Sequence, residues 1–530
     1  VGKPHVINLF TADSIYTTIP IMSDVSPESG RLFTSGKIVG LVLGLILFVI
    51  FTFNLPGLAL SAAACATAGV VSLMACFWVS LCLPIAMISL LPIVLFPILG
   101  IAGSAATVKY YADNNIYLFM GGFIIALAIE KWGLHQRIAL YITSLLGVSP
   151  ARVVLGFMCG TAFMSMWISN TASTMIMLPI GLAVISQIGI ANPGDRQFPV
   201  ALMLAIAYGA SLGGIATPIG TPPNILFLGV YGEGFPEAPP ITFFSWIAAF
   251  IPLTIILIPA AWFVLTKLLH RSPAAVGISR DIIRAELNKL GRMETAEKRV
   301  LVIFALTAAL WVFRSDIDLG GFAVPGWSRF LPHPDLIHDS TVAVAMAIVL
   351  FFVPAGKNNP GQFLMDWHTA SRLPWGILLL FGGGFAIAGG FVSSGLDQQM
   401  GLLIRPYLVF HPLLIVLAIC LLVTFLTELT SNTATAAALL PIVQGTALAL
   451  KLNPLLLMLP ATISASMAFM LPVATPPNAI VFASGHIRMS QMVRAGLILN
   501  LVFAVVIACF IYFVVLPLWG QSINLPSWTN

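Results

Sequence analysis

Charge is the scarcest ingredient of this chain. Asp, Glu, Lys and Arg together make up 8% of its 530 residues, against roughly a quarter in ordinary soluble domains. So little charge cannot cover the surface of a soluble protein of this length. The six cysteines (Cys65, Cys76, Cys82, Cys159, Cys420 and Cys509) lie in apolar segments without paired ligand spacing. That spacing argues against a zinc site or a disulfide framework and reads as buried small hydrophobes. The eight histidines fall in tails, loops and segment ends. With no candidate nucleophile, metal cluster or acid–base pair, an integral membrane enzyme is not indicated. Nucleic-acid motifs are absent too, and the net charge of +5 is concentrated in loops. Gly382-Gly383-Gly384 is followed by no Lys-Ser/Thr, so it reads as a site of close helix packing and not as a phosphate loop.

What is abundant is apolar length. Hydrophobic residues occupy 59% of positions, in runs of roughly 17 to 25 residues, each long enough as a helix to cross about 30 Å of hydrocarbon. The expected fold class is an all-α polytopic membrane protein with about eleven transmembrane helices. The expected crossings are 37–54, 58–80, 84–106, 115–131, 198–220, 243–268, 298–314, 341–354, 374–395, 455–474 and 495–518. Two further stretches, 151–190 and 411–450, are too long for one helix and carry polar residues near the middle, as re-entrant hairpins do. A channel or membrane-bound sensor would need a continuous polar path or an appended soluble domain, and neither is visible.

Basic residues set the expected orientation, because Lys and Arg in short loops stay on the cytoplasmic side. The 270–299 loop holds Arg271, Arg280, Arg284, Lys289, Arg292, Lys298 and Arg299, whereas 315–340 has Arg329 beside Asp316, Asp318, Asp335 and Asp339. The first loop is therefore assigned inside, with the amino terminus cytoplasmic and the carboxyl terminus outside. The mixed, polar residues 1–36 lack the short apolar core and cleavage site of a secretory signal and read as a cytosolic tail. The domain reading is tail 1–36, first crossing and first repeat 37–270, cytosolic loop 271–297, and second repeat 298–530.

An internal repeat organises the chain. Ser169-Asn170-Thr171-Ala172 recurs as Ser431-Asn432-Thr433-Ala434, each at the same interval after a Gly-Gly-Phe helix (Gly121-Gly122-Phe123 and Gly383-Gly384-Phe385). Downstream, Pro218-Ile219-Gly220-Thr221-Pro222-Pro223-Asn224 matches Pro472-Val473-Ala474-Thr475-Pro476-Pro477-Asn478. Five crossings and one hairpin per copy make the second copy enter from the opposite face, an inverted-topology repeat of the kind that secondary transporters use.

The repeated segments are polar breaks, and irregular backbone survives at membrane depth only where protein or a wet cavity surrounds it. Pro222-Pro223 and Pro476-Pro477 remove two amide donors apiece, leaving preceding carbonyls free to face a cation. Asn, Ser and Thr at the hairpin tips are good N-caps, and a half-helix start offers N–H groups and positive dipole to an anion. None of the four segments contains Lys, Arg or His. A multiply charged anion here would be balanced by helix ends and bound cations, each raising the other's affinity by the same factor. Moving net charge across the membrane then costs about 2.3 kcal/mol per elementary charge per 100 mV. Glu428, three residues before Ser431, reads as a structural hydrogen-bond acceptor ahead of a proton carrier. Glu130-Lys131, at a helix end, reads as snorkelling.

These motifs, with Leu91-Pro92-Ile93-Val94-Leu95-Phe96-Pro97 and Glu130-Lys131-Trp132-Gly133-Leu134-His135, give the chain a resemblance to the divalent anion/sodium symporters from about residue 80 to 518. That family includes sodium-coupled dicarboxylate and citrate transporters. The resemblance implies a homodimer with a fixed scaffold and a mobile transport domain that moves like an elevator, co-transporting sodium ions with a small carboxylate. Carried over by motif, it implies one sodium site at Ser165, Ser169, Asn170 and Gly220 and a second at Thr427, Thr430, Asn432 and Ala474. Substrate carboxylates are implied to meet Asn170, Thr171, Thr221, Asn432, Thr433, Thr475 and Pro476. A sodium-independent dicarboxylate exchanger or a sulfate transporter of the same fold are the competing expectations. Intact motifs in both halves favour symport.

Overall fold

The structure is a computed structural model that describes residues 35–57, 59–145, 149–188, 197–270, 280–318, 323–396, 399 and 410–529. Residues 1–34 of the expected tail, 189–190 of the first hairpin and 271–279 of the expected cytosolic loop lie outside them. The chain is overwhelmingly helical. A two-stranded antiparallel ribbon, Ile317–Asp318 against Ala323–Val324, is the only sheet among the described residues.

Seven helices are long and apolar enough to cross a membrane: Ser35–Thr52, Ala62–Ser80, Ser104–Lys131, Gln197–Gly214, Phe243–Leu269, Trp375–Ser394 and Met489–Leu518. They correspond to seven of the expected crossings, and together they make this an integral membrane protein. The other four expected crossings differ for local reasons. Residues 84–106 break into Ile85–Ile88, Leu91–Ile98 and the start of Ser104–Lys109, with Pro84 capping the first helix, Pro92 in the first turn of the second, Pro97 at its end, and Gly100 beyond it at a φ of +70°. The segment near 298–314 is a helix, Thr295–Val312, but its first turn carries Glu297, Lys298 and Arg299. The 341–354 and 455–474 regions hold helices of 14 and 11 residues, Asp339–Phe352 and Pro454–Ser464. Likewise the helix expected over 198–220 stops at Gly214. Both early stops precede a Pro-Pro dipeptide, so the apolar run continues while the helix does not.

Both expected hairpins are pairs of helices with a four-residue break. Pro150–Ser165 and Asn170–Ile188 flank 166–169, and Pro412–Thr427 and Asn432–Ala449 flank 428–431. The second helix of each carries a proline at the same place, Pro179 and Pro441.

The centre of the molecule is made by the two helices that lead into the proline breaks. Nearly all of Gln197–Gly214 is buried, and every residue of Pro454–Ser464 is. Burial on all sides demands apolar residues around the whole circumference. Close approach demands small ones: a Cβ added to Gly209 or Gly213 would overlap the backbone of Met158 or Ala162 in the first hairpin. The two copies interlock. Pro222–Gly234 of the first packs on Asn432–Ala449 of the second, and Pro476–Ala483 of the second packs on Asn170–Ile188 of the first.

Ion pairs fasten the periphery. Arg137 Nε donates to Glu297 at 2.5 Å, and Arg314 pairs with Asp339, whose other oxygen accepts the Phe243 amide at 3.0 Å. Lys131 bonds Asp366 at 2.6 Å, and this bond, with the Thr369 amide, holds the carboxyl down to about 2.

Gly213→Val is expected to lower the thermal midpoint of detergent-solubilised protein by several degrees, since overpacking of this kind costs roughly 1–3 kcal/mol. Gly232→Ala, at an exposed helical position with open space around it, should leave the midpoint unchanged or slightly higher. Equal midpoints for wild type and the valine variant would contradict the close helix approach.

Candidate functional site

Each hairpin break is closed by the same pair of side-chain bonds. Ser165 Oγ donates to Asn170 Oδ1 at 2.6 Å, and Thr427 Oγ1 donates to Asn432 Oδ1 at 2.9 Å. Ser169 Oγ accepts the Ala172 amide at 3.2 Å, and Ser431 Oγ accepts the Ala434 amide at 3.2 Å. Ser and Asn thus act as the sequence suggests, one capping the second helix and the other tying its first residue back to the end of the first. Asn170, Thr171, Asn432 and Thr433 are half-buried, so the first turns of Asn170–Ile188 and Asn432–Ala449 meet space that other protein atoms do not fill. Thr430 is buried and directed elsewhere, to the Leu426 carbonyl at 3.2 Å and to Thr435 Oγ1.

The proline breaks are also matched. Thr221 and Thr475 are the N-caps, and both prolines of each pair begin a helix, Pro222–Gly234 and Pro476–Ala483. The irregular backbone therefore precedes the prolines. Its carbonyls are less free than expected. Asn224 Nδ2 donates to Gly214 O at 3.1 Å and Thr217 O at 2.8 Å, and Asn478 Nδ2 donates to Ala468 O and Leu471 O at 3.0 Å each. Trp246 Nε1 reaches Ile215 O at 3.1 Å, and Tyr208 Oη reaches Phe469 O at 2.8 Å. A carbonyl has two lone pairs, so these bonds fix its direction without exhausting it.

The hairpin tips and proline breaks come together within each copy. In the first, Thr217 Oγ1 donates to Met166 O at 2.5 Å. A Cβ on Gly214 would sit 2.7 Å from Asn170 Oδ1, and one on Gly220 would sit 3.0 Å from Ser165 O. Ser165, Asn170, Gly214 and Gly220 thus share one small volume. In the second copy, Thr427 Oγ1 lies 2.8 Å from Ala465 O as well as 2.9 Å from Asn432 Oδ1. Three oxygens there share one hydroxyl proton. Oxygen excess without a basic side chain is the chemistry that suits a hard cation. The adjoining half-helix starts suit an anion.

Several residues of this arrangement were not singled out from sequence. Gly214 sits where a side chain would displace the Asn170 carboxamide. Asn224 and Asn478 close the repeated motif, and their recurrence was the available signal. Tyr208 and Trp246 are aromatics among many and carried none. Glu428, by contrast, stands out in the sequence as a hydrogen-bond acceptor, and it accepts four: from Phe469 N at 2.7 Å, Met470 N at 2.9 Å, Leu471 N at 3.0 Å and Asn500 Nδ2 at 2.8 Å. Pro476 is exposed, whereas Thr221, Gly220, Ala474 and Thr475 are buried.

A family model described as the sodium:sulfate symporter transmembrane region matches residues 35–519. The sodium-dependent dicarboxylate transporter SdcS of Staphylococcus saprophyticus is 39% identical over 507 residues, spanning 94% of this chain and 95% of that protein. The protein of the same name from Staphylococcus aureus is 39% identical over 501 residues, spanning 93% and 94%. Two solved structures are similar in fold alone. The YdaH transporter of Alcanivorax borkumensis gives a TM-score of 0.51 at 15% identity, over 78% of this chain and 90% of that one. MtrF of Neisseria gonorrhoeae gives 0.53 at 14% identity, over 80% and 86%.

Asn224→Ala and Asn478→Ala each remove two donors from buried carbonyls, an unsatisfied-group cost of about 1–3 kcal/mol. Each is expected to lower the thermal midpoint in detergent, by similar amounts in the two variants. A midpoint unchanged in both would show that these amides do not hold the breaks.

Proposed function

We propose that this chain, which belongs to the sodium:sulfate symporter transmembrane family, is a secondary active transporter coupling sodium to a di- or tricarboxylate of the succinate, malate and fumarate class. The observation that carries this reading is the site chemistry. Clustered oxygens, with no Lys, Arg or His in the four segments, adjoin the half-buried amino-terminal residues of two helices. Relatives named as sodium-dependent dicarboxylate transporters along nearly the whole chain support it.

In this reading Ser165, Ser169, Asn170 and Gly220 hold one sodium ion. Thr427, Asn432 and Ala474 hold a second, with Thr430 shaping it from behind through Leu426 and Thr435. Asn170, Thr171, Thr221, Asn432, Thr433, Thr475 and Pro476 receive the carboxylates, and the first-turn amides of the two tips meet their charge. Cation and anion binding are linked, because each lowers the electrostatic cost of the other. The hairpins re-enter the membrane and travel with the proline breaks as one body in an elevator motion against a fixed scaffold. The working unit is a homodimer in the cell membrane, with the amino terminus and the 271–297 loop cytoplasmic and the carboxyl terminus outside. The domain reading stays as drawn from sequence, with repeats at 37–270 and 298–530. The second reading is sulfate in place of a carboxylate, favoured by the family's description.

Labelled succinate uptake into proteoliposomes is expected to require an inward sodium gradient and to be inhibited more strongly by malate or fumarate than by sulfate. Uptake indifferent to sodium would point to the exchanger, and inhibition led by sulfate would overturn the carboxylate assignment. Asn170→Ala and Asn432→Ala should each reduce uptake to near background while leaving membrane insertion intact. Wild-type rates in either would remove that residue from the site.

A further inference from the structure

The two copies share a backbone plan but not a charge plan. In the first, the opening residue of the hairpin break is Met166, which reaches the proline break through its main-chain carbonyl. In the second, the equivalent residue is Glu428, and its side chain makes the connection. Its carboxylate accepts three consecutive amides, Phe469 to Leu471, and the Asn500 carboxamide from the helix Met489–Phe510. Asn500 follows Asn478 at the same sequence interval at which Trp246 follows Asn224 in the first copy, where the indole bonds Ile215 O directly. Gly496, one turn before Asn500, lets that helix touch the Phe469 backbone, where a Cβ would overlap it. Tyr208 and Asn478 take the carbonyls of the same stretch. Residues 468–471 are thereby held on their amide side by one carboxylate and on their carbonyl side by two other side chains.

This stretch lies between Ala465, whose carbonyl faces Thr427 Oγ1, and Ala474. Glu428 itself follows Thr427 in the chain and is almost fully buried. We propose that Glu428, held by Asn500, is the positioning residue of the second cation site. It fixes the 465–474 backbone that supplies oxygens to the cation and adds a fixed negative charge that the first site lacks. The proposal rests on the sodium-coupled reading above. Four N–H donors surround the carboxylate, three at Oε1 and one at Oε2, an environment that suits its ionised form, and hydrogen bonds to a charged acceptor are about twice as strong as neutral ones. A glutamine at this position keeps the shape but turns an N–H donor toward the Leu471 amide and loses the charge.

The test is succinate uptake into proteoliposomes as a function of sodium concentration, for wild type, Glu428→Gln and Asn500→Ala. Glu428→Gln is expected to raise the sodium concentration for half-maximal uptake by about tenfold or more, the scale of one charge-assisted hydrogen bond. The maximal rate at saturating sodium should stay within about twofold of wild type, because mass action restores a site whose affinity alone has fallen. Asn500→Ala should shift the sodium dependence in the same direction by less. A maximal rate that falls at unchanged sodium dependence would assign Glu428 a purely structural role and overturn the proposal, as would unaltered curves in both variants. If Glu428→Gln does not insert stably, Asn500→Ala decides on the same criterion. A wild type indifferent to sodium would sink the proposed function together with this inference. A sodium-dependent wild type with unshifted variants would sink the inference alone.

Discussion

Backbone amides and carbonyls inside a bilayer must find partners within the protein, because hydrocarbon offers none and each lone group costs several kcal/mol. Helices meet that demand automatically, and interrupting one creates a debt that side chains must cover. Four such interruptions fall at the repeated motifs, and a set of buried polar residues serves them. Asn224 and Asn478 serve two carbonyls each, Trp246 and Tyr208 one each, Thr217 ties one break to another, and Glu428 takes three amides. The apolar excess of the sequence and the small residues of Gln197–Gly214 are the other side of the same requirement. They let neighbouring helices come close enough for these short side chains to reach.

Satisfying a break in this way also prepares it for ligands. A loop whose carbonyls are pinned by side-chain amides presents its remaining lone pairs in fixed directions, so little ordering is left to be done when a cation arrives. Thr427 Oγ1, Asn432 Oδ1 and Ala465 O share one proton between them, a local electron-rich arrangement in the absence of a basic residue. The half-helix starts beside it carry the opposite partial charge. Cation-favouring oxygens and anion-favouring amides thus stand side by side because both are by-products of breaking a helix.

Much of this could be read from the residues. The two Ser-Asn-Thr triplets mark where the second helix of each broken pair begins, at Asn170 and Asn432, because Ser and Asn have a definite capping chemistry. The Pro-Pro dipeptides located the second pair of breaks, but the direction was less legible. Each dipeptide marks a break by its missing amide donors, yet it starts a helix here, and the helix before it ends several residues earlier, at Gly214 and Ser464. Hydropathy alone cannot see such an end, since residues 215–219 and 465–474 are almost as apolar as the helices they follow. The 84–106 region failed for the same reason: a continuous apolar run concealed its prolines' effect on continuity. Glu428 was visible as an oddity, an acid in an apolar hairpin, but its partners are 41 to 72 residues away and belong to the tertiary fold. Tyr208 and Trp246 had no sequence signal, because an aromatic ring that donates one buried hydrogen bond looks like any other.

A repeated sequence invites the assumption that its two copies contribute equally, and the side chains argue against it. The backbone geometry is shared to the level of individual hydrogen bonds: a hydroxyl to Oδ1 in each hairpin and an Asn amide to two carbonyls in each proline break. What differs is what braces that geometry from behind. The first half uses neutral groups, Trp246, Thr217 and the Met166 carbonyl, and the second uses the carboxyl group of Glu428, with Asn500. Breaking either set of shared bonds leaves buried backbone groups without partners. The bracing groups can differ between the copies because each break is satisfied in its own way. The matched main-chain bonds therefore set the shape of the two breaks, and the residues one layer further out set what differs between them.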